Sequence, residues 1–212
     1  MGALKLIRKP RQSEELAEAV GIMLGDGSNY ANFRKGAYQV RIAANSKCES
    51  DYLLLFMKPL FERLFGIEGR ISFHRSHSAM YLRFDSRNLV YFFDGIGVPF
   101  GGRKAKAGIP EWIKAEEKYL AACLRGLFDT DGSVYRLARK YPNLLRISFK
   151  NANEALLEDV RAGLLALGFH PSKATWRNVF LTRKSDVCLF ADKIGFNNPK
   201  NQNRLNSFSP VV

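Results

Sequence analysis

The 212-residue chain contains one segment twice, and this repeat constrains the fold more than any other feature. Leu16 to Ser28 has the sequence LAEAVGIMLGDGS, and Ala121 to Ser133 has AACLRGLFDTDGS. The two segments align Asp26 with Asp131 at an offset of 105 residues, and later matches have slightly smaller offsets, as small loop deletions would produce. We therefore expect two diverged copies of one unit, at residues 1–100 and 111–212, joined by a linker at residues 101–110.

The pattern of apolar residues predicts the same order of elements in both copies: helix, strand, strand, helix, strand, strand, helix. Alternation of apolar and polar residues marks strands, for example at residues 38–45 and 145–150. Helices are expected over residues 51–65 and 154–167, each followed by a glycine suited to end a helix. Residues 141–143 (Tyr-Pro-Asn) are expected to form a turn between two strands. The fold class is therefore α+β.

Small residues recur at every fourth position of the repeated helix, as GxxxG motifs do where two helix backbones touch. They are Ala17, Gly21 and Gly25 in the first copy and Ala122, Gly126 and Thr130 in the second. Because both copies carry this stripe, we expect the two helices to pack against each other. Asp26 and Asp131 would then meet at the carboxyl ends of the helices.

Two carboxylates at that place have a chemical consequence. A single Asp-Gly pair after a helix is usually a turn, in which the glycine adopts a positive φ. Two carboxylates together at the negative ends of two helix dipoles repel each other and require a compensating cation. Mg²⁺ is commonly bound by one or two carboxylates together with substrate phosphate oxygens. Asp26 and Asp131 are therefore the candidate metal ligands of a site for phosphoryl chemistry.

The charge distribution indicates the partner. The net charge is +13, and 16 of the 33 Lys and Arg residues lie in four stretches without acids, at 27–47, 69–84, 132–150 and 169–184. These stretches contain the predicted strands, whose polar faces would form a basic surface suited to nucleic acid. No apolar run approaches the length of about 18 residues that a membrane span needs, so no membrane partner is expected. Three scattered cysteines and a basic start without a leader pattern predict an intracellular protein, in a prokaryotic cytoplasm or an organelle matrix, that is not secreted.

The motifs AVGIMLGDGS and CLRGLFDTDGS resemble those of the LAGLIDADG homing endonucleases in their monomeric two-repeat form, and residues 109–112 (IPEW) resemble the segment before the second motif. In the second motif the matching residues are Leu124, Gly126, Leu127, Asp129, Asp131 and Gly132. The first motif has Leu24 in place of an Asp but retains Asp26. The resemblance implies two pseudo-symmetric αββαββα repeats, with the motif helices packed at the repeat interface above a saddle of two antiparallel β-sheets. It also implies a monomer without an obligate protein partner.

The activity that the resemblance implies is that of a site-specific double-stranded DNA endonuclease. Such an enzyme recognises a long asymmetric target and cuts both strands by metal-dependent phosphodiester hydrolysis, leaving short 3′ overhangs. Asp26 and Asp131 would bind Mg²⁺, with Mn²⁺ or Ca²⁺ as alternative occupants, aided by the backbone carbonyls of Gly25 and Thr130. Lys47 and Lys150 match family positions near the scissile phosphates, where a cation can orient water or stabilise charge. Ordinary phosphate contacts remain the alternative for both lysines. Asp129 is expected to be structural.

On this interpretation the open strand faces contact base edges in the major groove. The candidates in the first copy are Tyr30, Asn32, Arg34, Gln39, Arg41, Arg70, Ser72, His74, Tyr81 and Arg83. Those in the second copy are Tyr135, Arg139, Arg146, Ser148, Lys173, Thr175 and Arg177. The two sets differ, which predicts an asymmetric target. Two alternatives stay open: a non-catalytic DNA-binding regulator on the same fold, and an RNA-splicing maturase.

Overall fold

A computed structural model describes residues 5–74, 78–138 and 141–207, without the side chains of residues 138 and 141–143. The first half contains α1 (Glu14–Leu24), β1 (Gly27–Asn32), β2 (Ala37–Asn45), a π-helical segment (Tyr52–Met57) that continues as α2 (Lys58–Phe65), β3 (Arg70–Phe73), β4 (Ala79–Phe84) and α3 (Arg87–Gly95). A 3₁₀ segment (Gly101–Lys106) follows. The second half contains α4 (Glu111–Lys114), α5 (Glu117–Asp131), β5 (Gly132–Ala138), β6 (Tyr141–Lys150), α6 (Glu154–Ala166), β7 (Asn178–Leu181), α7 (Lys184–Lys193) and α8 (Pro199–Asn206).

Local sequence signals account for the ends of several helices. Ser13 caps α1, because its hydroxyl accepts a hydrogen bond from the backbone N–H of Leu16 at 3.2 Å. The helix over residues 52–65 ends at Gly66, which adopts a left-handed φ of 67° that costs a glycine little. Asn153 caps α6 in the way that Ser13 caps α1. The helices predicted at 51–65 and 154–167 thus form where the sequence places them.

Both sheets are antiparallel, and their strands run in the orders β1-β2-β4-β3 and β5-β6-β7. The second sheet is shorter than the repeat predicts. Before β7, pairing is reduced to a bridge between Thr175 and Asn178 and a backbone hydrogen bond from the Ser172 N–H to the carbonyl of Phe180 at 2.9 Å. Pro171 lacks an N–H to donate there, and positive φ angles at Trp176 and Arg177 turn the chain immediately.

The turn predicted at residues 141–143 is wrong. β6 begins at Tyr141, whose Cα pairs with that of Ala138, so these three residues belong to the strand. Pro142 is tolerated because it lies in the irregular part of the ladder, where the register shifts between Arg136 and Ala138 and where Pro142 has no paired residue among those that the structure describes.

The two motif helices, α1 and α5, pack together as their small residues predict. A Cβ atom on Gly126 would lie 2.9 Å from the backbone nitrogen of Ile22, and one on Gly21 would overlap the carbonyl of Cys123. Only glycine permits so close an approach of the two backbones. The buried apolar residues of both halves form one continuous cluster, so the two repeats share a single core.

Asp129 joins three parts of this core and is structural. Its carboxylate accepts hydrogen bonds from the Tyr52 hydroxyl at 3.1 Å and from the backbone N–H groups of Asn197 and Asn198 at 3.1 and 2.9 Å. Burial raises the pKa of Asp129 to about 7. The side chain thereby fixes the start of α8, where Asn198 is the cap, against α5. In the described parts of the chain, no helix is both long and apolar enough to cross a bilayer.

Candidate active site and nucleic-acid interface

The structure brings Asp26 and Asp131 together at the ends of α1 and α5. A Cβ atom placed on Gly25 would lie 2.9 Å from the Thr130 Cβ and 3.4 Å from Asp131 Oδ2. The residue before each acid therefore touches the other helix. Contact between the two helices, which the small-residue stripe predicts, places both carboxylates in one site.

The glycines that follow the two acids do not have the role expected of a turn. Neither Gly27 nor Gly132 has a positive φ. A Cβ atom on Gly27 would instead overlap the backbone of Met23, and one on Gly132 would overlap that of Phe128. These glycines let each strand start directly against the end of its helix, which keeps the acids at the junction.

The two carboxylates lie where negative charge is unfavourable. Burial, together with the charges of Asp131 and Glu49, raises the pKa of Asp26 to about 7. Burial also raises the pKa of Asp131, against the opposing effects of Asn151 and Lys104. The amide Nδ2 of Asn151 donates to Asp131 Oδ2 at 2.8 Å. A cation held between these acids would restore their ionised forms.

Lys104 provides one positive charge at this point. It belongs to the 3₁₀ segment between the repeats, and its Nζ donates to the carbonyl of Gly25 at 2.9 Å and to the carbonyl of Gly27. Burial lowers the pKa of Lys104 to about 8, although the charges of Asp131 and Asp26 oppose the decrease. Sequence reasoning missed this residue. The basic linker GGRKAKAGIP was the available signal, but it does not show which lysine turns back to the acids.

The first acid has two further charged neighbours. Lys200 of α8 pairs with Glu49 at 2.9 Å, and the other oxygen of Glu49 accepts from the backbone N–H of Asn45 at 3.0 Å. An open cleft of about 240 Å³ runs beside them, lined by Asp26, Ala43, Ala44, Asn45, Glu49, Ser78 and Ala79. Two residues after the aligned lysine, the second copy has Ala152 where the first has Glu49. The two sides of the site therefore differ in charge.

The donor set fits a hard divalent cation. Within residues 5–74, 78–138 and 141–207, no three His, Cys, Asp or Glu side chains form a metal-binding group by themselves. Two carboxylates with raised pKa values and nearby backbone carbonyls are nevertheless present, and they leave room for substrate oxygens as ligands. This incomplete oxygen set is typical of Mg²⁺ sites, which are finished by water and phosphate.

Lys47 and Lys150 occupy equivalent exposed positions at the ends of interior strands of the two sheets. Lys47 lies two residues beyond β2, and Lys150 is the last residue of β6. Both side chains point to the solvent, whereas Lys104 is the lysine bonded beside the acids. The two exposed lysines are thus placed for contact with a bound polymer.

The register of the first sheet places eight of the predicted contact residues on one face. The pairs Tyr30↔Gln39, Arg41↔Arg83 and Ser72↔Tyr81 lie opposite one another, and Val40 and Ile42 are buried on the reverse face. The eight residues are Tyr30, Asn32, Gln39, Arg41, Arg70, Ser72, Tyr81 and Arg83. Arg34 is exposed between β1 and β2, and His74 is exposed directly after β3.

Several of these side chains are already held in place. The Arg41 guanidinium lies 4.7 Å from the centre of the Tyr81 ring. Asp85 accepts from Arg83 at 2.9 Å and from Gln39 at 3.0 Å. Ordering of long polar side chains before binding reduces the entropy lost when a partner binds.

The second sheet has a similar but smaller polar face. Tyr135 lies opposite Arg146, whose guanidinium is 4.8 Å from the centre of the Phe180 ring. Ser148 is on this face but only 7% exposed, so its hydroxyl is not open to a partner as the sequence predicted. The remaining candidates, Lys173, Thr175 and Arg177, are exposed before β7, and Arg139 lies outside the described residues.

Comparison with known proteins identifies the architecture. Residues 118–195 match the family model of the LAGLIDADG-like domain. The structure is similar to that of I-DmoI in complex with DNA and Mn (TM-score 0.62, 22% identity, 86% of this chain and 96% of that chain). It is also similar to I-DmoI in complex with DNA and Ca (TM-score 0.63, 22% identity, 92% and 97% of the two chains). The LAGLIDADG homing endonuclease I-SmaMI bound to cleaved DNA gives a TM-score of 0.56 at 12% identity, over 96% of this chain and 94% of that one.

Comparison with curated protein sequences gives no significant match. The second half matches the family model, and the fold of both halves matches the solved structures. The chain therefore contains a LAGLIDADG-like domain at residues 118–195 and has the two-repeat fold of the LAGLIDADG homing endonucleases.

Proposed function

We propose that this protein is a site-specific double-stranded DNA endonuclease that acts as a monomer and cuts both strands of a long asymmetric target, leaving short 3′ overhangs. The observation that carries the proposal is the meeting of Asp26 and Asp131 at the ends of α1 and α5. Each acid is followed directly by a strand of a sheet with a basic open face. Catalytic groups thus lie between two surfaces suited to one polymer.

DNA binding is supported by the chemistry of the two faces. Arg side chains can donate two hydrogen bonds to guanine, and Asn or Gln can pair with adenine, while phosphates fix the register of the duplex. The first face contains Gln39 and Arg41 among its residues, and the second contains Arg146. Because the two faces carry different residues, the half-sites should differ in sequence. The crystal structures of I-DmoI and I-SmaMI with DNA support duplex DNA as the ligand class.

The acids would act by holding Mg²⁺, for which Mn²⁺ or Ca²⁺ could substitute, with help from the carbonyl of Thr130 and from that of Gly25, which also accepts from Lys104. When bound, such an ion supplies a Lewis acid that neutralises phosphate charge and lowers the pKa of bound water. Asp26 and Asp131 would orient the ion, and Asn151 holds the second carboxylate through its hydrogen bond to Oδ2. The pKa of Asp26 near 7 means that metal and protons compete for this carboxylate at neutral pH.

Lys104 is proposed as a catalytic group in addition to the residues predicted from the sequence. Its ammonium is bonded to carbonyls on either side of Asp26, so it would face a phosphate held at the acids. There it would donate a hydrogen bond to a phosphate oxygen and stabilise charge that develops during cleavage. With a pKa near 8, it is also able to transfer a proton near neutral pH.

Lys47 and Lys150 would contact other phosphates of the DNA backbone, further from the acids than the phosphate that Lys104 faces. Their exposure and their equivalent positions at the ends of β2 and β6 support this role. A contribution to catalysis, rather than to affinity alone, would have to come from side-chain movement towards the acids when DNA binds.

The test is a cleavage selection on a randomised duplex library with Mg²⁺, run beside an EDTA arm and the Asp26→Asn, Asp131→Asn double variant. Asp192→Asn, which changes an exposed acid on α7, is the matched control. We expect one long asymmetric site to be cut only in the arms with metal and both acids, including the control variant.

Other outcomes would change the proposal in defined ways. Enrichment of one sequence without cutting, independent of metal, would identify a DNA-binding regulator on the same fold. Preference for structured RNA over duplex DNA in a competition assay would favour a splicing maturase. Cutting by the double variant would remove Asp26 and Asp131 from the proposed site.

A further inference from the structure

The turn before β7 has a backbone conformation that its residues do not favour. Thr175 and Asn178 exchange two backbone hydrogen bonds, at 3.0 and 2.8 Å, and thereby enclose a two-residue turn. Trp176 and Arg177 in this turn have φ angles of 51° and 62°. Within the described parts of the chain they are the only residues other than glycine with positive φ. Such turns favour Asn-Gly, and a bulky residue there destabilises the fold.

The same turn exposes one of the two tryptophans of the chain. Trp176 is 94% exposed, whereas the other tryptophan, Trp112, is partly buried and donates its indole N–H to the carbonyl of Ile96 at 3.2 Å. An indole left in water gives up the stabilisation that burial would provide. Backbone strain and exposure of an aromatic ring, each unfavourable for stability, thus coincide at one residue. Such coincidences are concentrated at functional sites.

The position of the turn connects it to the second acid. The carbonyl of Arg177 accepts a hydrogen bond from the backbone N–H of Asn151 at 3.0 Å. The side chain of Asn151 in turn donates to Asp131 at 2.8 Å. Asn178, next in the chain, lies opposite Lys150 on the polar face of the second sheet. Trp176 is therefore at the end of that face nearest to Asp131.

Cationic side chains lie close to Trp176. The exposed Arg177 follows it in the turn, and the exposed Lys150 lies opposite the neighbouring Asn178. An aromatic ring among cations suits a nucleotide, whose base or sugar packs on the ring while its phosphate meets the positive charges.

We propose that Trp176 packs against a nucleotide of bound DNA beside the phosphate served by Asp131. This inference rests on the proposed function. It adds a contact residue that lies in a turn, outside the strands whose side chains are proposed to contact the bases. The strained turn presents the indole at this place, at the expense of stability. The indole contributes affinity through contact with a base or sugar, and Arg177 contributes through charge.

The first experiment uses the fluorescence of Trp176 alone. In a Trp112→Phe background, with Asp26→Asn and Asp131→Asn to prevent cutting, Trp176 is the only indole. Its emission should change when the selected duplex binds, and acrylamide should quench it less in the complex. Binding is followed independently by the anisotropy of a labelled duplex. DNA binding with unchanged emission and unchanged quenching would overturn this inference while leaving the proposed function intact. Absence of binding to any duplex would overturn both.

The second experiment separates contact from turn structure. Trp176→Asn places a residue that tolerates positive φ in the turn and retains Arg177. We expect this variant to have a melting temperature equal to or above that of the parent and an affinity for the duplex about tenfold lower, within the range measured for loss of one aromatic stack. Trp176→Phe should retain most of the affinity. Leu165→Gln, at another exposed apolar residue on α6, is the control and should bind as the parent does. Parental affinity in Trp176→Asn would show that the indole makes no contact.

Discussion

Replacement of Asp26 by asparagine should stabilise the protein while it abolishes cleavage. The pKa of Asp26 rises from 3.8 to about 7, mainly through burial, with repulsion from Asp131 and Glu49. At about 1.4 kcal/mol per pKa unit, keeping this group ionised in the folded state costs about 4 kcal/mol. The neutral amide avoids the charge penalty but still needs hydrogen-bond partners, so about half of this energy should be recovered. We expect unfolding to require about 2 kcal/mol more, or a melting temperature about 5 °C higher for a chain of this size.

The sign of the pH dependence follows from the raised pKa. The contribution of Asp26 to stability is fully present below pH 4 and is lost as pH rises through 7. The advantage of Asp26→Asn over the parent should therefore be small at pH 4.5, grow up to pH 7 and remain constant above it. Urea unfolding followed by circular dichroism in EDTA, at several pH values, measures this difference. Asp192→Asn, on the exposed surface, should show no such trend.

Mg²⁺ gives an independent check on the same carboxylate. A ligand that binds only the folded state at 100 times its Kd adds about 2.7 kcal/mol of stability. Added Mg²⁺ should therefore raise the melting temperature of the parent more than that of Asp26→Asn and reduce the gap between them. The reasoning would be refuted if Asp26→Asn were no more stable than the parent at pH 8, or if its advantage did not grow with pH.

The remaining predictions concern the site and the helix pair. Lys104→Met should slow single-turnover cleavage by about a hundredfold or more, with DNA affinity by filter binding changed far less; an equal loss of both would make Lys104 a simple phosphate contact. Lys150→Met should reduce DNA affinity and cleavage rate in parallel in the same assays, and a loss of rate alone would place this lysine in the chemistry. Gly126→Ala should lower stability in urea unfolding by about 3 kcal/mol, because its Cβ would overlap the backbone of α1. Gly95→Ala, where nothing lies within 4 Å of the added atom, should be neutral or slightly stabilising and is the control. Mg²⁺ affinity without DNA, by calorimetry, should rise about tenfold per pH unit below 7 and level off above it as Asp26 loses its proton; a flat profile would exclude this carboxylate as a ligand.

The polar faces of the sheets were predictable because strand side chains alternate with a period of two. Once Val40 and Ile42 are assigned to the core, Gln39 and Arg41 must lie on the other face. The helix contact was predictable for a similar reason, since glycines at intervals of four residues lie along one side of a helix. Both arguments use only regular local geometry and one burial assumption.

Other features depended on contacts between segments far apart in the chain. Lys104 is 78 residues from Asp26 and belongs to a linker whose two lysines, Lys104 and Lys106, cannot be distinguished from the local sequence. Which of them meets the carbonyls of Gly25 and Gly27 depends on how the linker crosses the end of α1. The pairing of Glu49 with Lys200 likewise requires that α8 pack beside the first repeat.

The positive φ of Trp176 was not predictable, because local preference alone would not place a tryptophan in that conformation. Residues 141–143 have the composition of a turn. They nevertheless begin β6, because pairing with β5 outweighs that local preference.

The sequence by itself determined the two repeats, the helix contact, the pair of acids and the polar strand faces, since each follows from a period or an alignment within the chain. Only the tertiary structure decided which lysine is held at the acids, how the two sides of the site differ and where Trp176 is presented. The physical reason is that these features depend on distances and burial between remote segments, which produce the raised pKa of Asp26 and the lowered pKa of Lys104.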